Sequence, residues 1–170
     1  TTYRKMGLDT VDEAVRVGGL TAGPSRTETL KLVGADDFRP DGATRVQNDF
    51  GLEQGTAAYL YSAYGDQAVR VAELSREYPG QLVQGHPQLE AEVVYSALYE
   101  AACTATDFLA RRTRLAFLAR LAALEALPKV VRLLGDVLEW DDARRNNEEV
   151  AFKRYLGRAR ELEPVAASTD

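Results

Sequence analysis

The chain has 170 residues, of which 45% are hydrophobic and 28% charged, and 26 acidic against 21 basic side chains leave a net charge of −5. That composition excludes a wholly disordered chain and suits one domain with a hydrophobic core, or a domain plus a tail. It argues against nucleic acid as a partner, which asks for a basic stripe on a basic domain; no apolar run approaches the ~20 residues that cross a bilayer, and the single cysteine, Cys103, has no partner for an internal disulfide.

Leu8, Val11, Ala14 and Val15 share a helical period, which predicts a helix over 3–17 stopped by Gly18-Gly19. The chain opens inside this pattern without an initiator Met, a secretion signal or a transit peptide, as a piece of a longer protein would. Residues 20–44 are rich in Gly, Pro, Asp and Ser and read as a linker, in which TETLKLV alternates polar and apolar and leaves room for a short strand.

From 45 to 163 the pattern is helical. TRVQNDFG and QGTAAYLYSAYG give two short helices, and DQAVRVAELSREYPG gives a third that starts at Asp66 and stops at Pro79-Gly80. A loop carrying His86 follows. Between Leu89 and Leu127 there is neither Pro nor Gly, so at least two long helices are expected, with Thr104 and Asp107 forming a relaxed capping box where one restarts. Leu124, Leu127, Val131, Leu134 and Leu138 make a core-facing stripe, interrupted by Pro128, which should begin a helix or kink one. After Trp140 a last helix is carried by Val150, Tyr155, Leu156, Ala159 and Leu162, and 164–170 is a frayed tail. The fold class is all-α: a small multi-helix bundle preceded by a helix (1–19) and an irregular linker.

Chemistry is sparse. One His and one Cys are too few for zinc or a nucleophilic triad. GADDFRPDG lacks the alternating ligands and closing Glu of a calcium loop, and Gly18-Gly19 lacks the preceding strand and third Gly of a dinucleotide fingerprint. No catalytic residue and no metal site is predicted. Cys103 reads as a small buried hydrophobe, His86 as an exposed loop residue, and Tyr59, Tyr61 and Tyr64 as packing residues. The densest remaining pattern is Arg111, Arg112 and Arg114. At about 100° per residue, Glu100, Thr104, Asp107, Arg111, Arg114 and Leu118 fall on one helix face, with Asp107 placed to pair with Arg111. Arg112 instead projects with Ala105, Phe108, Leu109, Leu115 and Ala116, where a charge needs a carboxylate or carbonyl to meet it.

These blocks carry a resemblance. TTYRKM (1–6), DTVDEAV (9–15), GPSRT (23–27), YGDQA (64–68), EAEVVYS (90–96), EAACTATDFLARRTRLAFL (100–118), ALPKVV (126–131) and LEWDD (138–142) resemble the C-terminal part of FAD-dependent, quinone-linked glycerol-3-phosphate dehydrogenases of the mitochondrial type and their bacterial relatives. The resemblance implies a parent enzyme that oxidises sn-glycerol 3-phosphate to dihydroxyacetone phosphate and passes electrons through FAD to a membrane quinone. It implies that TTYR closes the flavin-binding domain, making 1–19 the last helix of that domain and Thr1 and Thr2 the flavin-proximal positions. FAD then belongs to the parent, with none expected in this chain. The implied partners are the chain's own FAD-binding catalytic domain and, through the parent, quinone and a membrane surface; a homo-oligomer stays open. That surface is the mitochondrial inner membrane in a eukaryote and the cytoplasmic face of the plasma membrane in a bacterium. Asp107, Arg111, Arg112 and Arg114 become candidates for the contact between the helical domain and the catalytic body. The competing reading is a free-standing helical interaction module without catalytic activity.

Overall fold

The computed structural model describes residues 2–161, with side chains as far as Arg158. Among these, eight α-helices follow one another: α1 (Thr2–Val17), α2 (Gly42–Phe50), α3 (Gln54–Tyr64), α4 (Ala68–Leu74), α5 (Glu90–Tyr99), α6 (Leu115–Leu118), α7 (Arg120–Val137) and α8 (Asp142–Glu161). A 3₁₀ turn (Gly65–Gln67) joins α3 to α4, and a π-helical turn (Asp107–Arg112) precedes α6. The domain is all-α. The only extended pairing among the described residues is an isolated antiparallel bridge between Gln81 and Leu89.

α1 ends in a Schellman turn: Gly19 takes φ 60°, Leu20 N donates to Val15 O at 3.0 Å and Gly19 N to Arg16 O at 3.4 Å. None of its residues is buried. Arg4 reaches Thr27 Oγ1 and Glu28 Oε1, tying the helix to the segment that follows it. The short strand allowed for in TETLKLV does not form. Residues 27–29 make a turn, and Leu30, Leu32 and Val33 are exposed without a pairing strand. Alternation supplies the side-chain pattern of a strand, but the ladder needs a neighbour to satisfy its backbone, and an all-helical domain offers none.

The linker re-enters the body at Gly34. Its carbonyl accepts Asp66 N at 3.0 Å, and a Cβ on Gly65, whose φ is 59°, would stand 2.0 Å from the same oxygen. Asp66 Oδ2 in turn accepts Asp37 N at 2.7 Å. Asp66 therefore anchors the linker rather than capping a helix, and α4 begins two residues later and ends at Leu74, short of the expected span.

Two apolar clusters make the core. Val46, Leu60, Tyr61, Val71, Ala72 and Tyr95 form one, from α2 to α5; Val93, Phe108, Leu109, Leu127, Leu134 and Phe152 belong to the other, from α5 to α8. α5 serves both, and residues 91–96 are all buried. A helix covered on every side lies at the centre of its domain, and α5 is that helix.

The apolar run after Leu89 is not two long helices. α5 stops at Tyr99, Ala101 adopts φ 53°, and Arg114 adopts φ 57° just after the π turn. Left-handed residues other than Gly are uncommon and end a helix as firmly as Pro would. α7, by contrast, runs through Pro128 without restarting. In α8 the core positions are Phe152 and Leu156, whereas Val150 is exposed. Leu162 and the tail 164–170 lie outside the described residues.

Candidate functional site

The segment after α5 is organised by Asp107. Thr104 Oγ1 accepts Asp107 N at 3.0 Å, and Asp107 Oδ2 accepts Cys103 N at 3.1 Å and the Thr104 hydroxyl at 2.8 Å. This is the expected capping box, with the carboxylate reaching one residue beyond the usual backbone donor. Asp107 Oδ1 also pairs with Arg111. Burial works against the charged form of Asp107, but hydrogen bonds from Thr104, Arg111 and Cys103 outweigh it and hold the carboxyl below its ordinary range. Glu148 of α8 fixes the same turn from the other side: its Oε2 accepts Ala105 N at 3.0 Å while its Oε1 pairs with Arg144 at 2.7 Å.

The π turn then changes which side chains share a face. Thr113 N donates to Phe108 O at 3.0 Å, five residues back, and the wider turn buries Phe108, Leu109 and Ala110. Glu100, Thr104, Asp107, Arg111, Arg114 and Leu118 do not form one continuous helix face, because the backbone is broken at 100–104 and again at 113–114. Arg112 turns out of the apolar stripe. It does find both kinds of partner the sequence demanded: Nη2 donates to Glu100 O at 2.5 Å, and Nε lies 3.6 Å from Glu100 Oε2, with the side chains 31% and 30% exposed. Burial raises the Glu100 carboxyl, and Arg112 opposes that rise. Asp107 and Arg112 thus fasten this domain to itself.

Arg111 and Arg114 are exposed. The Arg114 side chain makes no hydrogen bond or ion pair among the described residues, while its left-handed backbone starts α6, its carbonyl accepting Phe117 N and Leu118 N, both at 3.0 Å. Just beyond it Phe117, Leu118 and Leu121 are 57%, 71% and 80% exposed. Behind this patch Phe117 meets the edge of Tyr155 at 6.4 Å, and Arg120 Nη1 donates to Leu156 O at 2.9 Å, so α8 holds it in place. The result is a surface with two arginines beside three large apolar side chains, a combination suited to a protein contact. Of its apolar half, the sequence placed only Leu118 with the arginines; Phe117 and Leu121 were not singled out.

Cys103 is exposed, not buried, because the chain leaves α5 at Glu100 and carries it out of the helix. His86 is partly buried in the loop before α5. Among the described residues, no group of three or more His, Cys, Asp or Glu could hold a metal.

A second polar cluster was missed. Glu92, on α5, is fully buried; its Oε1 accepts the hydroxyls of Tyr59 and Tyr64 at 2.8 and 2.9 Å, and its Oε2 accepts Leu89 N at 2.5 Å. Burial pushes its carboxyl up to about 7, against the pull of these three donors. Burial first, then the negative charge of Glu92, raises both tyrosine hydroxyls far above their ordinary range. All three tyrosines pack in or against the α2–α5 cluster as foreseen, but each hydroxyl also has a polar partner, Tyr61 accepting Arg39 N at 2.7 Å. The signal was a Glu three residues into a helix whose neighbours on both sides are apolar.

A family model described as the C-terminal domain of alpha-glycerophosphate oxidase matches residues 25–145. The chain belongs to this family of C-terminal domains. Among its relatives are the mitochondrial glycerol-3-phosphate dehydrogenases of Bos taurus and Rattus norvegicus, 44% and 45% identical over 163 residues that cover 92% of this chain. The mitochondrial glycerol-3-phosphate dehydrogenase SDP6 of Arabidopsis thaliana is 37% identical over 173 residues. The chain spans only 22% of the length of the bovine and rat proteins and 28% of the plant one. Thr1 lies outside the described residues, and Thr2 is an exposed residue in the first turn of α1, with no hydrogen bond to any described side chain.

Proposed function

We propose that this chain is the C-terminal part of an FAD-dependent glycerol-3-phosphate dehydrogenase. The parent oxidises sn-glycerol 3-phosphate to dihydroxyacetone phosphate, and FAD bound elsewhere in the polypeptide supplies the two-electron acceptor from which quinone is reduced. The observation that carries this reading is the match of 92% of the chain to dehydrogenases of that name at 44–45% identity. In a eukaryote the protein would sit peripherally on the mitochondrial inner membrane; in a bacterium, on the cytoplasmic face of the plasma membrane. Thr1 and Thr2 would lie near the flavin only through the domain that precedes them.

The role of this domain is structural. The exposed Arg111 and Arg114 with Phe117, Leu118 and Leu121 are the surface we assign to the catalytic body. Asp107 and Arg112 support that surface from within, Asp107 by fixing the turn and Arg112 by closing it onto Glu100. An antibody raised against this chain tests the reading on the native protein. A flavin-containing precipitate that reduces a dye only when glycerol 3-phosphate is added supports it. A colourless, inactive precipitate overturns it in favour of a free-standing interaction module.

A further inference from the structure

The segment from Leu30 to Val33 is open on its side chains and on its backbone alike. Leu30, Leu32 and Val33 are 73%, 69% and 86% exposed, and Leu30 and Leu32 alternate with Lys31 as the apolar face of a strand does. Among the described residues, none of the amides of Leu30, Lys31, Leu32 and Val33 donates to a backbone carbonyl; of their own carbonyls only that of Leu32 is engaged, by Ala35 N at 3.0 Å. A row of free donors and acceptors is a template for strand pairing.

The segment also lies along a helix. Arg4 holds the turn before it through Thr27 and Glu28. Leu30 and Leu32, two residues apart and so on one face of an extended segment, line a groove of about 640 Å³ together with Leu8, Val11 and Val15 of α1. None of α1 is buried, so helix and segment leave that groove unfilled. An apolar helix stripe against one face of an extended segment is the layering of an α/β unit that lacks its sheet.

We propose, resting on the reading of this chain as the C-terminal part of a flavoenzyme, that residues 30–33 add as an edge strand to the sheet of the FAD-binding domain, with α1 as the helix layered on it. Flavin- and dinucleotide-binding domains are built on such a sheet, and the chain spans only 22% of the bovine relative, which leaves ample polypeptide to carry one. A second copy of the segment is a poorer occupant: four residues against four make an isolated two-stranded ribbon, which is marginal in water. An existing sheet offers a formed edge and apolar side chains for the groove. The strand would also tie the two domains at close range, because the chain is fixed to the helical body immediately after it, where Gly34 O accepts Asp66 N and Asp66 Oδ2 accepts Asp37 N.

Amide hydrogen exchange resolved at single residues in the native, flavin-containing protein tests this. An edge strand turns alternate amides towards its neighbour, so either Leu30 and Leu32 or Lys31 and Val33 should exchange at least about tenfold more slowly than the other two. Leu30→Ser with Leu32→Ser should abolish that difference and leave α5 protected; a difference that survives would overturn the role given to the apolar face. Equal protection of all four amides, as packing without a ladder gives, overturns the edge strand. Rapid exchange of all four in a protein that still holds flavin overturns it too, while leaving the flavoenzyme reading intact; a protein without flavin removes that reading and this one with it. Protection that appears in the isolated chain on concentration and is lost on dilution would assign the segment to a second copy instead.

Discussion

Arg112 shows what a single position in the sequence reveals and what it conceals. Its helical phase correctly demanded a carboxylate or carbonyl, and Glu100 supplies both. What the phase could not show is that the chain breaks at Ala101, which brings Glu100 back beside it. Arg112→Ala would remove the bond to Glu100 O and leave Glu100 Oε2, already without a hydrogen-bond partner, with no neighbouring charge. With both side chains partly exposed the loss should be about 1 kcal/mol, read by denaturant unfolding. An unchanged unfolding midpoint would sever Arg112 from the fold of this domain. Gly65 makes a harsher test. Its φ of 59° disfavours any side chain, and its Cβ would collide with a backbone oxygen that has no room to retreat. Gly65→Ala should cost roughly 2 kcal/mol or more; a variant as stable as the parent would mean the linker is not anchored at Gly34.

At the scale of elements, periodicity located α2, α3, α7 and α8 and the Gly stop of α1, because each carries its own local signals. It failed where tertiary contact decides. The run 89–127 contains no Pro or Gly, yet it divides at two left-handed residues, one of them Arg114, whose conformations no propensity marks. The buried Glu92 cluster was invisible for the same reason: its partners lie 28 and 33 residues away. α7 offers a clean experiment. Pro128 is exposed in the interior of this helix and denies Leu124 O its partner, a defect of up to ~3 kcal/mol that the packed helix evidently tolerates. Pro128→Ala should raise stability by about 1 kcal/mol, part of the gain being lost to the freer unfolded chain. A destabilised variant would show instead that the domain depends on a bend at Pro128. Phe152→Ala, at the fully buried centre of α8, should cost about 3–5 kcal/mol in the same assay.

For the whole molecule, opposing titrations set the pH response. Asp107 is held below its ordinary value of 3.8, so its contribution is present above that value and is lost as pH falls through the folded one. Glu92 has the opposite sign. Its folded carboxyl at about 7 lies above the ordinary 4.5, so the folded state binds the extra proton between them, and stability falls as pH rises through that window. Thermal unfolding should therefore be most resistant in the mildly acidic range; a midpoint climbing steadily to neutral pH would contradict that balance. Beyond its own core, α1 and the 111–121 patch leave large apolar side chains exposed among the described residues, and under the proposed function both would face the rest of a larger flavoenzyme. Amide hydrogen exchange compares the native protein with the isolated 170-residue chain directly. The account predicts that residues 2–17 and 114–121 exchange quickly in the isolated chain and are protected in the native protein, while α5 is slow in both. Equal, rapid exchange of both surfaces in the native protein would contradict it.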